Sequence, residues 1–232
     1  MTRGTIKFVH IKSEEDRNMT IFKYLIIGLG FITGGCATVA DTSAVLSTKS
    51  SCCKSPADFR YEQLTLGTAV QLTLDDKSPA YAFGSGKSYF KAYFLPVVKK
   101  ETTLRVRSWA TGSVAFETEK LSQLYCPEVT FLDKNHQFIF SNDLIPSPAK
   151  GALATGWRPS FIADFEIPSA ATYVVLHSRP GGYGRLATRY TGGGAYAVGN
   201  AYVVERGGEP IYHPCGPTAD AEVSVVPKTN SQ

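Results

Sequence analysis

From Ala57 onward, apolar residues recur at every second position in short runs separated by Gly, Pro, Asp and Ser. That period matches a half-buried strand, whose side chains alternate between two faces. Val70-Gln71-Leu72-Thr73-Leu74 alternates, and Asp75-Asp76-Lys77 then turns the chain. The run Lys87 to Leu95 puts Phe90, Ala92 and Phe94 on one face and Tyr89, Lys91 and Tyr93 on the other. Leu104 and Val106 alternate with Arg105 and Arg107. Val129 and Phe131 open another strand, with Gln137 to Phe140 as its predicted hairpin partner, and Phe161, Ala163, Phe165 and Ile167 share one face. Tyr173 to Leu176 reads as a compact apolar strand, and Val223 to Val226 as one that closes the sheet. The one predicted helix in this region is short, Phe116 to Leu124. Short strands with regular punctuation predict an all-β fold, a single β-sandwich or jelly-roll-like domain over residues 57–228.

Arg179 to Gly216 breaks the pattern. It is glycine-rich and carries Tyr183, Tyr190, Tyr196, Tyr202 and Tyr212 with Arg179, Arg185, Arg189 and Arg206. A stretch of this length without apolar periodicity predicts a long loop, functional or mobile, here 179–216.

The N-terminal pattern is of another kind. Tyr24 to Gly35 is a twelve-residue apolar run after Lys23 and Met19. A bilayer needs about 20 such residues, so the run is too short to span one. A basic start, an apolar middle and small residues at the end are the anatomy of an export signal. Ile32-Thr33-Gly34-Gly35-Cys36-Ala37 resembles the lipobox of bacterial lipoproteins. In those proteins diacylglycerol is joined to the cysteine before the leader is cut. The sequence therefore predicts a signal peptide over 1–35, with Met19 as the true start because Glu14, Glu15 and Asp16 are too acidic for a signal. A lipid on Cys36 and a flexible Ser/Thr/Ala/Lys tether over 36–56 follow. Two or three acyl chains hold a protein far more firmly than one. By analogy with bacterial lipoproteins, the absence of Asp at position 37 favours the outer membrane, with the domain expected to face the periplasm. The competing readings are a buried helix, or a signal cut near Ala40.

The leader carries five basic and three acidic residues, so the net charge of +4 falls to +2 beyond it. With no basic run, no nucleic-acid partner is expected. Cys52, Cys53, Cys126 and Cys215 form an even set that suits an oxidising compartment. Adjacent Cα atoms lie about 3.8 Å apart, short for a disulfide. The expectation is thus that Cys52 and Cys53 bridge to Cys126 and Cys215, in either order. Free thiols, or zinc with His213 beside Cys215, are the rivals; the Cys-Cys pair lacks a zinc knuckle's spacer.

Catalytic patterns are missing from the sequence. Gly84-Ser85-Gly86-Lys87-Ser88 ends like a P-loop, but Tyr81 stands where its first glycine belongs. Gly182-Tyr183-Gly184-Arg185-Leu186-Ala187 spells a dinucleotide fingerprint that Thr191-Gly192-Gly193-Gly194 denies its helix. His136, His177 and His213 read as isolated surface or loop residues, and Asp164 with Glu166 as a solvated strand face. The expectation is a non-enzymatic protein with no cofactor and no metal. Candidate binding surfaces are Arg105, Arg107 and Trp109 on one strand face, and Tyr183, Arg185, Arg189 and Tyr190 in the glycine-rich segment. Aromatic rings stack on sugar faces while guanidinium groups donate to hydroxyls.

Phe59-x-Tyr61-x-x-Leu64, Tyr89-Phe90-x-x-Tyr93-x-Leu95-Pro96, Pro127-Glu128-Val129-Thr130-Phe131-Leu132-Asp133 and Tyr173-Val174-Val175-Leu176 occur in that order. In these positions, over roughly Ala57 to Ser178, the chain resembles the maltose-operon periplasmic protein family (MalM). The resemblance implies an exported β-rich domain associated with carbohydrate uptake, with no catalytic constellation. The expected function is accessory to maltodextrin-type uptake or glycan binding. The alternative is an adaptor lipoprotein that docks another envelope protein.

Overall fold

In the computed structural model, residues 39–97, 102–110, 123–149, 160–190, 195–198, 201–204 and 210–228 are described. The signal segment, Cys36 and most of the helix expected at Phe116 to Leu124 lie outside them; Leu124 itself is in a strand.

The described residues begin with helix α1 (Val39–Thr48), followed by a 3-10 turn at Pro56–Asp58. Strands follow as β1 (Tyr61–Gln63), β2 (Val70–Leu74), β3 (Ala80–Phe83), β4 (Gly86–Phe94), β5 (Thr102–Trp109) and β6 (Leu124–Tyr125). Next come β7 (Pro127–Leu132), β8 (Phe138–Asp143), β9 (Ser147–Pro148), β10 (Ser160–Glu166) and β11 (Tyr173–Ser178). The last are β12 (Leu186–Tyr190), β13 (Ala195–Val198), β14 (Ala201–Val204), β15 (Pro210–Gly216) and β16 (Ala219–Pro227).

Two sheets form the sandwich. The first has the order β1-β4-β11-β7-β8 with β3 paired to β4, and the second the order β2-β16-β5-β10-β9. The alternation read along each strand decides which side chains meet between them. Tyr89, Tyr93, Val129, Phe131, Val174 and Leu176 from the first sheet pack against Leu72, Leu104, Val106, Phe165, Val223 and Val225 from the second. Phe131, Leu104, Val106 and Val223 are fully inaccessible to water. Burying such side chains contributes about 1.5–3 kcal/mol each, and this layer is the main source of stability. The all-β sandwich expected from the sequence is the fold observed.

Three segments differ from their sequence readings. The stretch expected to be a flexible tether holds α1, whose Leu46 is 3% exposed and belongs to the main core. Lys87 of β4 donates from Nζ to the carbonyls of Ser47 and Lys49 at 3.1 and 2.8 Å, capping the helix end. A cation at a helix C-terminus meets unpaired carbonyls and the negative end of the helix dipole. Second, the predicted loop 179–216 holds β12, β13, β14 and β15. The order β12-β15-β6 makes a third sheet, and β13 with β14 a separate hairpin. Third, Cys126 bonds Cys215, with Cα atoms 5.4 Å apart, and Cys52 bonds its neighbour Cys53. The expected cross-pairing of the two halves is not formed. Cys215 lies in β15 directly beside β6, which runs parallel to it, with Cys215 opposite Leu124. That register brings Cys215 to Cys126 and keeps Cys52 and Cys53 from either.

Candidate functional site

The first sheet is apolar on both faces, and the site lies on its outer one. Because β7 and β11 are pleated, Val129, Phe131, Val174 and Leu176 enter the sandwich core. Their alternates, Glu128, Thr130, Leu132, Val175 and His177, line a pocket on the other side. Antiparallel pairing sets Glu128 opposite His177 and Thr130 opposite Val175. Thr130 is also opposite Ser141 on β8.

The walls are aromatic. Phe59, just after the 3-10 turn, packs on Phe90 with ring centres 4.2 Å apart and edge-on to Tyr81 at 4.9 Å. Tyr81 and Phe83 alternate along β3, so both point to this face. Gly84 and Ser85 are the two-residue turn between β3 and β4, where Phe83 pairs with Gly86; the P-loop-like letters are this hairpin. Gly86 holds a φ of +125°, and a Cβ there would lie 2.9 Å from Cγ of Pro180, so the turn requires glycine. At the far rim His136, with a φ of +58°, stacks on Tyr173 at 4.2 Å and shares a hydrogen bond of 3.2 Å with the Tyr61 hydroxyl. Exposed Phe138 completes the rim. The pocket encloses about 390 Å³. That volume falls within the range of small-molecule sites, about 300–1,000 Å³.

The floor is polar. His177 is 1% exposed and lies parallel to Phe83, with ring centres 3.8 Å apart. Its Nε2 is 3.0 Å from Thr130 Oγ1, which is 3.2 Å from Ser141 Oγ. Ser141 donates to Glu128 Oε1 at 3.1 Å. His177 Nδ1 faces two acceptors, the Ser178 carbonyl at 3.4 Å and Glu128 Oε2 at 3.8 Å, which fits a proton on that nitrogen. Burial pushes His177 down to about 4, against the opposing pull of Glu128 and the Ser178 carbonyl, so the ring is neutral at pH 7. Glu128 Oε2 and Ser85 Oγ are buried and have no hydrogen-bond partner among the described residues.

The residues singled out from the sequence lie elsewhere. Arg105, Arg107 and Trp109 do share the outer face of β5, on the second sheet. Arg105, however, is held by both oxygens of Asp164, at 2.8 Å each, and this raises its pKa. Arg107 lies in register between Glu222 and Ile162. The face is charge-matched within the sheet, and its arginines do not converge on a recess. Glu166, beside Asp164 on that face, pairs with Lys228. Tyr183 packs against the main core, where burial raises its hydroxyl pKa. Arg185 and Arg179 both reach Asp143 of β8, at 2.9 and 3.4 Å. The expected Tyr183–Arg185 surface is therefore part of the packing that seats this segment. Arg189 and Tyr190 fall on β12; their side chains lie outside the described set. His177 and His213 are buried, correcting the surface reading of both; His213 meets Phe161 edge-on at 5.3 Å.

Sequence reading missed the pocket because it treated each strand as one-faced. The available signal was Phe90, Ala92 and Phe94 opposite Tyr89 and Tyr93: a strand apolar on both sides is covered on both sides. Tyr173 to His177 has the same character. Among the described residues no helix is long and apolar enough to cross a membrane.

Comparison with protein-family models, with curated proteins and with solved structures gives no match.

Proposed function

We propose that this chain is an exported, non-catalytic lipoprotein, anchored to the outer membrane through Cys36 and facing the periplasm, whose sandwich binds carbohydrate in the pocket on its first sheet. The pocket carries the reading. Aromatic rings on its walls offer flat apolar surface to a sugar ring, and the floor of Glu128, Ser141 and His177 supplies hydrogen-bonding groups. That combination of apolar wall and polar floor suits a ligand that is itself apolar on its ring faces and polar at its edge. The maltose-operon resemblance points the same way, to an accessory role in uptake of maltodextrin-type sugars. The leader, the lipobox and the disulfide-bonded cysteines fit an envelope location.

The test is a glycan-binding screen on the full chain, purified in detergent, with Tyr81→Ala and Phe83→Ala set against Trp109→Ala. Loss of binding in the first two alone supports the pocket; loss in Trp109→Ala alone moves the site to the second sheet. In a parallel fractionation, Cys36→Ser should leave the membrane pellet, and wild type should incorporate labelled palmitate.

A second reading, an adaptor for another envelope protein, has one observation in its favour. Phe138 and Phe140 are 66% and 47% exposed on β8, which ends the path of the first sheet. Specific co-purification of one envelope protein, lost in Phe140→Ser, with no glycan bound, would establish it.

A further inference from the structure

The pocket holds an acidic side chain without a basic counterpart among its lining residues. Glu128 is the one carboxylate among its lining residues, and no lysine or arginine lines it. Asp143, opposite Glu128 on β8, engages Arg179 and Arg185. His177 faces Glu128 but is neutral at pH 7, and its Nδ1 at 3.8 Å is beyond hydrogen-bond distance of Oε2. The carboxylate side chain is 12% exposed, and its Oε2 has no hydrogen-bond partner among the described residues. Removing a carboxylate from water without a partner is costly, and a cation entering the pocket recovers that cost. The walls favour the same ligand charge. The rings of Tyr81 and Phe83 are partly exposed there and electron-rich on their faces, and an ammonium group over such a face is attracted to it. An anionic ligand would meet Glu128 and the ring faces with repulsion from both.

We infer that the pocket selects an amine-bearing sugar, a hexosamine unit with a free ammonium group, over neutral and acidic sugars. This rests on the carbohydrate reading above, since the cation preference alone does not require a sugar ring. In the bound state the ammonium lies between Glu128 and the aromatic wall. No covalent step is involved.

The experiment measures binding of four probes to the full chain in detergent at neutral pH: a chitosan tetramer, its fully N-acetylated counterpart, maltotetraose and choline. The expected result is that the chitosan tetramer binds about tenfold or more tighter than either neutral tetramer. In Glu128→Gln the amide can still accept from Ser141, and the preference of the chitosan tetramer over the neutral tetramers should shrink to about twofold. Equal affinity for the three tetramers in wild type overturns the inference while leaving the carbohydrate reading intact. A preference that persists in a folded Glu128→Gln variant overturns the role given to Glu128. Choline binding as tightly as the chitosan tetramer, with neither neutral sugar bound, keeps the cation site and removes the carbohydrate reading. The wild-type comparison decides the selectivity even if Glu128→Gln does not fold.

Discussion

Removing the Cys126–Cys215 bridge should destabilise the protein by about 4–5 kcal/mol. The bridge closes a loop with a sequence separation of 89. In the chain-entropy account a cross-link restricts the unfolded ensemble, and a loop of this size corresponds to about 4.6 kcal/mol at 25 °C. Both residues are buried, at 4% and 2% exposure, in a cluster with Leu124, Phe161, Ala110 and Ala187. Replacing each by alanine removes one sulfur and leaves a small gap, which adds to the loss. For a protein of this size, about 2–4 °C is lost per kcal/mol, so Cys126→Ala/Cys215→Ala should melt about 10–20 °C lower. Urea unfolding supplies the sharper assay. Without the cross-link the unfolded chain exposes more surface, so the m-value should rise as the midpoint falls. Cys52→Ala/Cys53→Ala is the control: its bridge joins adjacent residues and closes essentially no loop, so it should cost within about 1 kcal/mol. The reasoning is refuted if the Cys126/Cys215 double variant melts within about 3 °C of wild type with an unchanged m-value. Non-reducing peptide mapping that links Cys126 to Cys52 or Cys53 would refute the pairing itself.

Three further expectations concern the β3–β4 turn, His177 and the outer face of the second sheet. Gly86→Ala should destabilise by about 1–3 kcal/mol, through its φ of +125° and the Pro180 contact, whereas Gly84→Ala has open space and should cost under about 1 kcal/mol; paired thermal melts decide it. His177, driven down to about 4 by burial, is neutral in the fold while the unfolded chain takes up a proton near pH 6.5. Stability should therefore be intact above pH 6.5 and fall as pH drops from 6.5 towards 4. A folded His177→Gln variant should lose less across that window, and equal losses would remove His177 as the cause. Arg105→Met/Asp164→Leu should change stability by no more than about 1 kcal/mol, because the pair is about one-third exposed; a larger loss in urea titration would mean the outer face of the second sheet is structural.

The local pattern of the chain determined the strands and their inward faces. Leu104 and Val106 point into the core and Arg105 and Arg107 away from it, as their alternation requires, because a pleated backbone leaves adjacent side chains no other choice. Four features needed partners distant in sequence. Helix α1 has a composition that suits a tether, and it gains a docking face from Leu46 burial and a cap from Lys87 some forty residues on. The glycine-rich segment has weak strand propensity of its own, and β12 pairs with β15, Ala187 opposite His213 and Arg189 opposite Ile211, to gain the ladder it lacks locally. The cysteine pairing followed from the register of β15 on β6, which spacing along the chain does not encode. The pocket is the extreme case, with walls from the 3-10 turn, the β3–β4 hairpin, β7, β8 and β11. Each contributes a few residues that are unremarkable alone. Their convergence is a property of strand order, and strand order is decided by which apolar faces can be buried together, a sum over the whole chain that no single segment carries.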